Sequence, residues 1–85
     1  SNMITVTGTK TITNTSASVF AGSSVLANRV FVYVKNLDDC VAILINNRIV
    51  EPGEDIKFKP KASESVTIMG RSTGRAVQAL VQEVA

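Results

Sequence analysis

Apolar residues in this chain recur at every second position. Val30, Val32 and Val34 alternate with Arg29, Phe31, Tyr33 and Lys35, and Val41, Ile43 and Ile45 alternate with Ala42 and Leu44. A period of two sends successive side chains to opposite faces of an extended chain. The β-branched and aromatic residues of these runs suit a pleated surface and lose rotamer freedom in a helix. Ile56 and Phe58 alternate with Lys57 and Lys59, the pattern of a half-buried strand. Both central runs are partly apolar on both faces, whereas a lone sandwich of this size leaves one face of each sheet in water. The second apolar face therefore needs a cover, supplied either by another segment of the same chain or by a neighbouring subunit. In the second case Phe31, Tyr33 and Leu44 sit at the subunit contact.

Turn signals cut the runs. Asn36-Leu37-Asp38-Asp39 has the polar composition of a hairpin loop. Asn46-Asn47 divides the second run from Arg48, Ile49 and Val50, and asparagine's tolerance of positive φ suits a two-residue type I′ turn. In Glu51-Pro52-Gly53-Glu54, proline presets φ at the second turn position and glycine supplies the positive φ at the third, as a type II turn requires. Gly70-Arg71-Ser72-Thr73-Gly74 reads as a glycine-bounded hairpin turn following a strand over residues 65 to 69. It lacks the lysine of a phosphate-cradling loop.

The ends are less regular. Threonine occupies positions 5, 7, 9, 11, 13 and 15, with Ile4, Val6 and Ile12 among the residues between. That spacing puts threonines on one face of an edge strand or arm; an ice-binding or glycan-contacting surface is the less economical reading. A short strand over residues 17 to 20 follows, then a Gly-Ser loop. At the other end, Ala76, Val77, Leu80, Val81 and Val84 fit a helical spacing, while Val77, Ala79 and Val81 also alternate as a strand. The surrounding short loops favour the strand.

These elements predict an all-β fold, a small antiparallel β-sandwich or jelly roll of about 7–8 short strands. A five-stranded barrel of the oligonucleotide-binding type is the alternative. Eighty-five residues make a single domain. Within it, residues 1–2 read as a tag remnant, 3–27 as a Thr/Ser-rich N-terminal arm with the first strands, and 28–85 as the sandwich body.

Composition narrows the chemistry. Hydrophobic content is 45% and mean hydropathy +0.21, above what a disordered chain carries. No run approaches the ~18 apolar residues of a membrane span, and no charged-then-apolar leader is recognisable. The net charge of +2 is weak basicity, with Lys57, Lys59 and Lys61 as the one cluster. Lysines along a strand guard against edge-to-edge aggregation more often than they bind phosphate, and four aromatic residues embedded in core-like runs make no base-stacking platform. There is no histidine, the commonest general base and metal ligand. Cys40 is the one cysteine; it follows two aspartates, which disfavour a thiolate, and reads as structural. Asp38, Asp39, Glu54 and Asp55 fall in predicted turns. These features predict no enzyme, cofactor, metal site or small-molecule substrate.

The order Arg29-Val-Phe-Val-Tyr-Val-Lys-Asn36, then Val41-Ala-Ile-Leu-Ile45, Pro52-Gly53-Glu54, the Ile56/Phe58 strand, Val66-Thr-Ile-Met69 and Gly70 to Gly74 before an apolar C-terminus resembles small phage and prophage structural proteins. The likeness covers residues 28 to 84. It implies a virion subunit assembled in the host cytoplasm, a capsid decoration or tail accessory protein acting by self-assembly. Its partners would be copies of itself or other virion proteins, with no role for a membrane or nucleic acid. The same punctuation is similar to spore-appendage jelly-roll subunits, whose arms carry cysteines; residues 3 to 28 here carry none. A carbohydrate- or nucleic-acid-binding β module is the alternative, although the chain lacks tryptophan, the usual sugar platform.

Overall fold

The computed structural model describes residues 3–61 and 66–85. Eight strands form among them: β1 Thr5–Ile12, β2 Ala17–Ser18, β3 Phe31–Asn36, β4 Ile43–Ile45, β5 Arg48–Val50, β6 Asp55–Phe58, β7 Met69–Ser72 and β8 Val77–Val84. They build two four-stranded antiparallel sheets, in the orders β1-β8-β3-β6 and β2-β7-β4-β5. The first strand pairs with the last, the second with the seventh, the third with the sixth and the fourth with the fifth. Chain topology is therefore that of one long hairpin wrapped on itself, so that β8 also meets β3 and β7 also meets β4. That nested order makes the sandwich a jelly roll, and the two separate sheets set aside the five-stranded barrel.

The core lies between the sheets. Val32 and Val34 of β3, Val77, Ala79 and Val81 of β8 and Ile12 of β1 face Ile43, Ile45, Val50, Ile68, Val19 and Ala21. The inward set of β3 is the one the alternation predicts. β8 settles the choice at the C-terminus: it is an eight-residue strand, buried at Val77, Ala79, Val81 and Glu83 and paired on both sides. A helix there would leave β1 and β3 without their common partner.

Two turns form as their residues require. Asn46 and Asn47 have φ of 48° and 64° and close the β4–β5 hairpin. Gly53 has φ of 79°, and Glu54 N–H donates to the Glu51 carbonyl across 3.0 Å.

Several local expectations are corrected. Asn36 to Asp39 is not a hairpin loop: Asn36 ends β3, and the following residues carry the chain into the other sheet, where β4 lies. The strand expected over residues 65 to 69 runs instead from Met69 to Ser72, and Ser65 lies outside the described residues. Gly70 is a strand glycine, not a turn glycine. A Cβ on it would stand 2.8 Å from Val19 Cγ2 and 2.9 Å from Ile45 Cδ1, side chains on or beside the strands that flank β7 in its own sheet, so a side chain there would force these neighbours to shift. Arg29 does not share the outward face of Phe31; it is buried, because the chain enters β3 through Asn28 at φ 58° and alternation begins only at Phe31. Cys40, read as structural, is an exposed free thiol.

Candidate functional site

The outward face of the β1-β8-β3-β6 sheet is laid out in register. Thr5, Val84 and Phe31 form one row; Thr7, Gln82, Tyr33 and Lys57 the next; Thr9, Leu80, Lys35 and Asp55 the third. Side-chain hydrogen bonds tie the rows laterally. Gln78 Nε2 donates to Thr11 Oγ1 across 2.9 Å and Gln82 Nε2 to Thr7 Oγ1 across 3.2 Å. Tyr33 OH donates to Asp55 Oδ2 across 3.1 Å. Desolvation, and then this bond to a carboxylate, push the Tyr33 phenol above its usual range. The result is a face with half-buried Phe31, Tyr33, Leu80 and Val84 along its two central strands and threonines along one rim. No strand of the described residues lies over it.

Phe31 and Tyr33 are thus brought together, but Leu44 is not with them. It belongs to β4 and lies on the outward face of the other sheet, opposite Ile49 and Arg71. Ile49 is 61% exposed and Met69 36%, and the alternation of β7 puts Met69 on the same side as Arg71. Each outward face therefore carries its own apolar patch. The sequence reading set Leu80 and Val84 opposite Val77, Ala79 and Val81 but did not name them, Ile49 or Met69 beside Phe31, Tyr33 and Leu44, because which strands become neighbours is decided by the pairing.

Polar groups between the sheets are committed to holding the fold. Glu83 occupies an inward position of β8; its Oε1 accepts from Ala21 N–H at 2.7 Å, and its Oε2 accepts from Leu26 N–H at 3.0 Å and from Arg29 Nη1 at 2.8 Å. Burial pushes the Glu83 carboxyl up, but these donors outweigh it and the pKa falls below the usual carboxylate range. Arg29 also donates to the carbonyls of Val19 and Val66, while its buried Nε has no protein partner among the described residues. A carboxylate in step with Val77, Ala79 and Val81 was the sequence signal for this pair.

Lys10 likewise points inward, donating to the Gly22 carbonyl at 2.6 Å with its ammonium 4.3 Å from the Phe20 ring centre. Beside it, between edge strands β1 and β2, runs a groove of about 310 Å³ lined by Ile12, Val19, Phe20 and Gly70 among others. In the 37–42 crossover, Asp38 accepts from Arg75 Nη1 at 2.7 Å and from the N–H groups of Cys40 and Val41. Those bonds, the Arg75 guanidinium first, hold its pKa down at about 2.

Among the described residues, Asp38 and Glu83 thus pair with arginine and accept from backbone N–H groups, Glu54 accepts from Glu51 N–H, and Asp55 accepts from Tyr33. Among the described residues no three His, Cys, Asp or Glu side chains cluster as metal ligands. Protein-family models, curated proteins and solved structures, when compared with the chain, yield no match.

Proposed function

We propose that this protein is a non-enzymatic structural subunit that works through repeated β-surface contacts, as a capsid decoration or tail accessory protein of a phage or prophage particle does. The observation that carries the reading is the placement of apolar side chains on both outward faces: Phe31, Tyr33, Leu80 and Val84 on one, Leu44, Ile49 and Met69 on the other. A subunit with patches on opposite faces can touch more than one neighbour at once, which a lattice or fibre requires. The jelly-roll body and the resemblance to phage structural proteins supply the particle context.

The test is light scattering coupled to size exclusion, with electron microscopy of concentrated samples, on the natural sequence and on Tyr33→Ser and Leu44→Ser. Assembly beyond the monomer, weakened by either variant, supports the reading. A protein that stays monomeric, captures no virion protein and instead retains a glycan or an oligonucleotide would sink it.

A further inference from the structure

β1 is an edge strand whose backbone is open on one side. Ile4 and Ala85 exchange both backbone hydrogen bonds, at 2.5 and 2.8 Å. In an antiparallel ladder such pairs alternate with pairs that exchange none. In the observed register, Val6, Gly8, Lys10 and Ile12 therefore turn their N–H and C=O groups toward β8. Thr5, Thr7, Thr9 and Thr11 turn theirs away, off the edge of the sheet. No backbone partner for these four threonines occurs on that side among the described residues.

Exposed edges are ordinarily blunted by proline, a bulge, an outward charge or short length. β1 has none of these: it is eight residues long, lacks proline and pairs with β8 without a break. Its one charge, Lys10, is turned inward onto Gly22.

We propose that two copies of this chain join edge to edge through β1, antiparallel about a two-fold axis at Gly8, fusing their β1-β8-β3-β6 sheets into one continuous sheet. The register follows from the sequence of the edge. Pairing Gly8 with Gly8 sets Thr7 opposite Thr9 and Thr5 opposite Thr11, so the threonines whose backbone groups point outward meet one another. Four such pairs exchange about eight hydrogen bonds. Gly8 falls at a pair that exchanges none, where strands run closest. The same register sets Ile4 opposite Ile12. Ile4 is 56% exposed and its place in the alternation is on the inner face, so each copy lays it against the mouth of the Ile12, Val19 and Phe20 groove of the other. One strand thus provides both halves of a self-complementary contact.

This inference deepens the assembly reading by naming the partner and the strand that meets it. It uses neither Phe31 nor Leu44, so different variants test the two. Sedimentation velocity from micromolar to millimolar concentration should show the mass rising to twice that of the monomer. Thr7→Pro removes an outward N–H and no bond of the β1–β8 ladder, and proline is tolerated on an edge. It should keep the β-sheet circular dichroism and stay monomeric. In concentrated natural protein the amides of Thr5, Thr7, Thr9 and Thr11 should exchange more slowly than in dilute protein, a readout that holds even if the proline variant fails to fold. A monomer at all concentrations overturns the inference. So does a dimer that survives Thr7→Pro, or one lost only in Tyr33→Ser or Leu44→Ser, with those four amides exchanging at the same rate throughout.

Discussion

Arg29 and Glu83 form a buried ion pair, Nη1 to Oε2 at 2.8 Å, across 54 residues of chain. The pair joins the entry to β3 to the end of β8, and through the bonds to Val19, Ala21, Leu26 and Val66 it pins the segment that closes one end of the sandwich. Removing one partner leaves a buried charge without its counterpart. Glu83→Gln is expected to cost about 3–5 kcal/mol, read as a lower urea midpoint. Glu83→Leu combined with Arg29→Met should recover much of that loss, since the desolvation of both charges is then avoided. Equal losses in the single and double variants would show that packing, not the charge pair, dominates.

Asn36 joins the two sheets. Its Nδ2 donates to the carbonyls of Val41 at 2.9 Å and Val50 at 3.1 Å, and its Oδ1 accepts from Asp38 N–H at 2.9 Å. Asn36→Ala strands those groups at a fully buried position and is expected to destabilise the protein by about 2–4 kcal/mol in chemical denaturation. A change under about 0.5 kcal/mol would mean that water replaces the amide without loss.

Acid should weaken the fold in a defined window. Asp38 ionises near 2 when folded against an ordinary value of 3.8, a depression set first by Arg75 and then by two backbone N–H groups. A depressed pKa adds stability that is fully present above the unfolded value and lost as pH falls through the folded one. Melting temperature should therefore drop between about pH 4 and pH 2, and Asp38→Asn should flatten part of that drop. Glu83, also depressed, acts in the same direction. An unchanged profile in Asp38→Asn would show that the Arg75 contact is too mobile to matter.

Two glycines should respond differently to alanine. A Cβ at Gly8 would lie 2.3 Å from the Ala21 carbonyl oxygen, a backbone atom, whereas at Gly53 it would meet open space and only the positive φ of 79° resists it. Gly53→Ala should cost about 1 kcal/mol. Gly8→Ala should cost more, about 1–3 kcal/mol or beyond, and should also loosen Lys10 from Gly22. Thermal melts of the two variants side by side decide the order.

Much of the fold is legible in local chemistry. The alternation of Val32 and Val34 with Phe31, Tyr33 and Lys35 marks β3 and its faces, because a period of two is a property of the extended backbone. Asn46-Asn47 and Pro52-Gly53 mark their turns because φ preferences belong to single residues. The common face of Phe31 and Tyr33 follows from the same alternation.

What the chain by itself determined, then, was strand character, facing and turn type, all set by sterics within a few residues. Tertiary structure decided the rest, since it depends on partners far apart in sequence. It placed β4 in the other sheet from β3, so that Leu44 faces away from Phe31 and Tyr33. It gave Gly70 to a strand, paired with Ala17 on one side and Ile45 on the other. It turned Arg29 inward to meet Glu83, and it left β1 at the end of its sheet, paired with β8 alone among the described strands. None of these is written in a local pattern: each depends on which strands become neighbours once the long hairpin has wrapped upon itself.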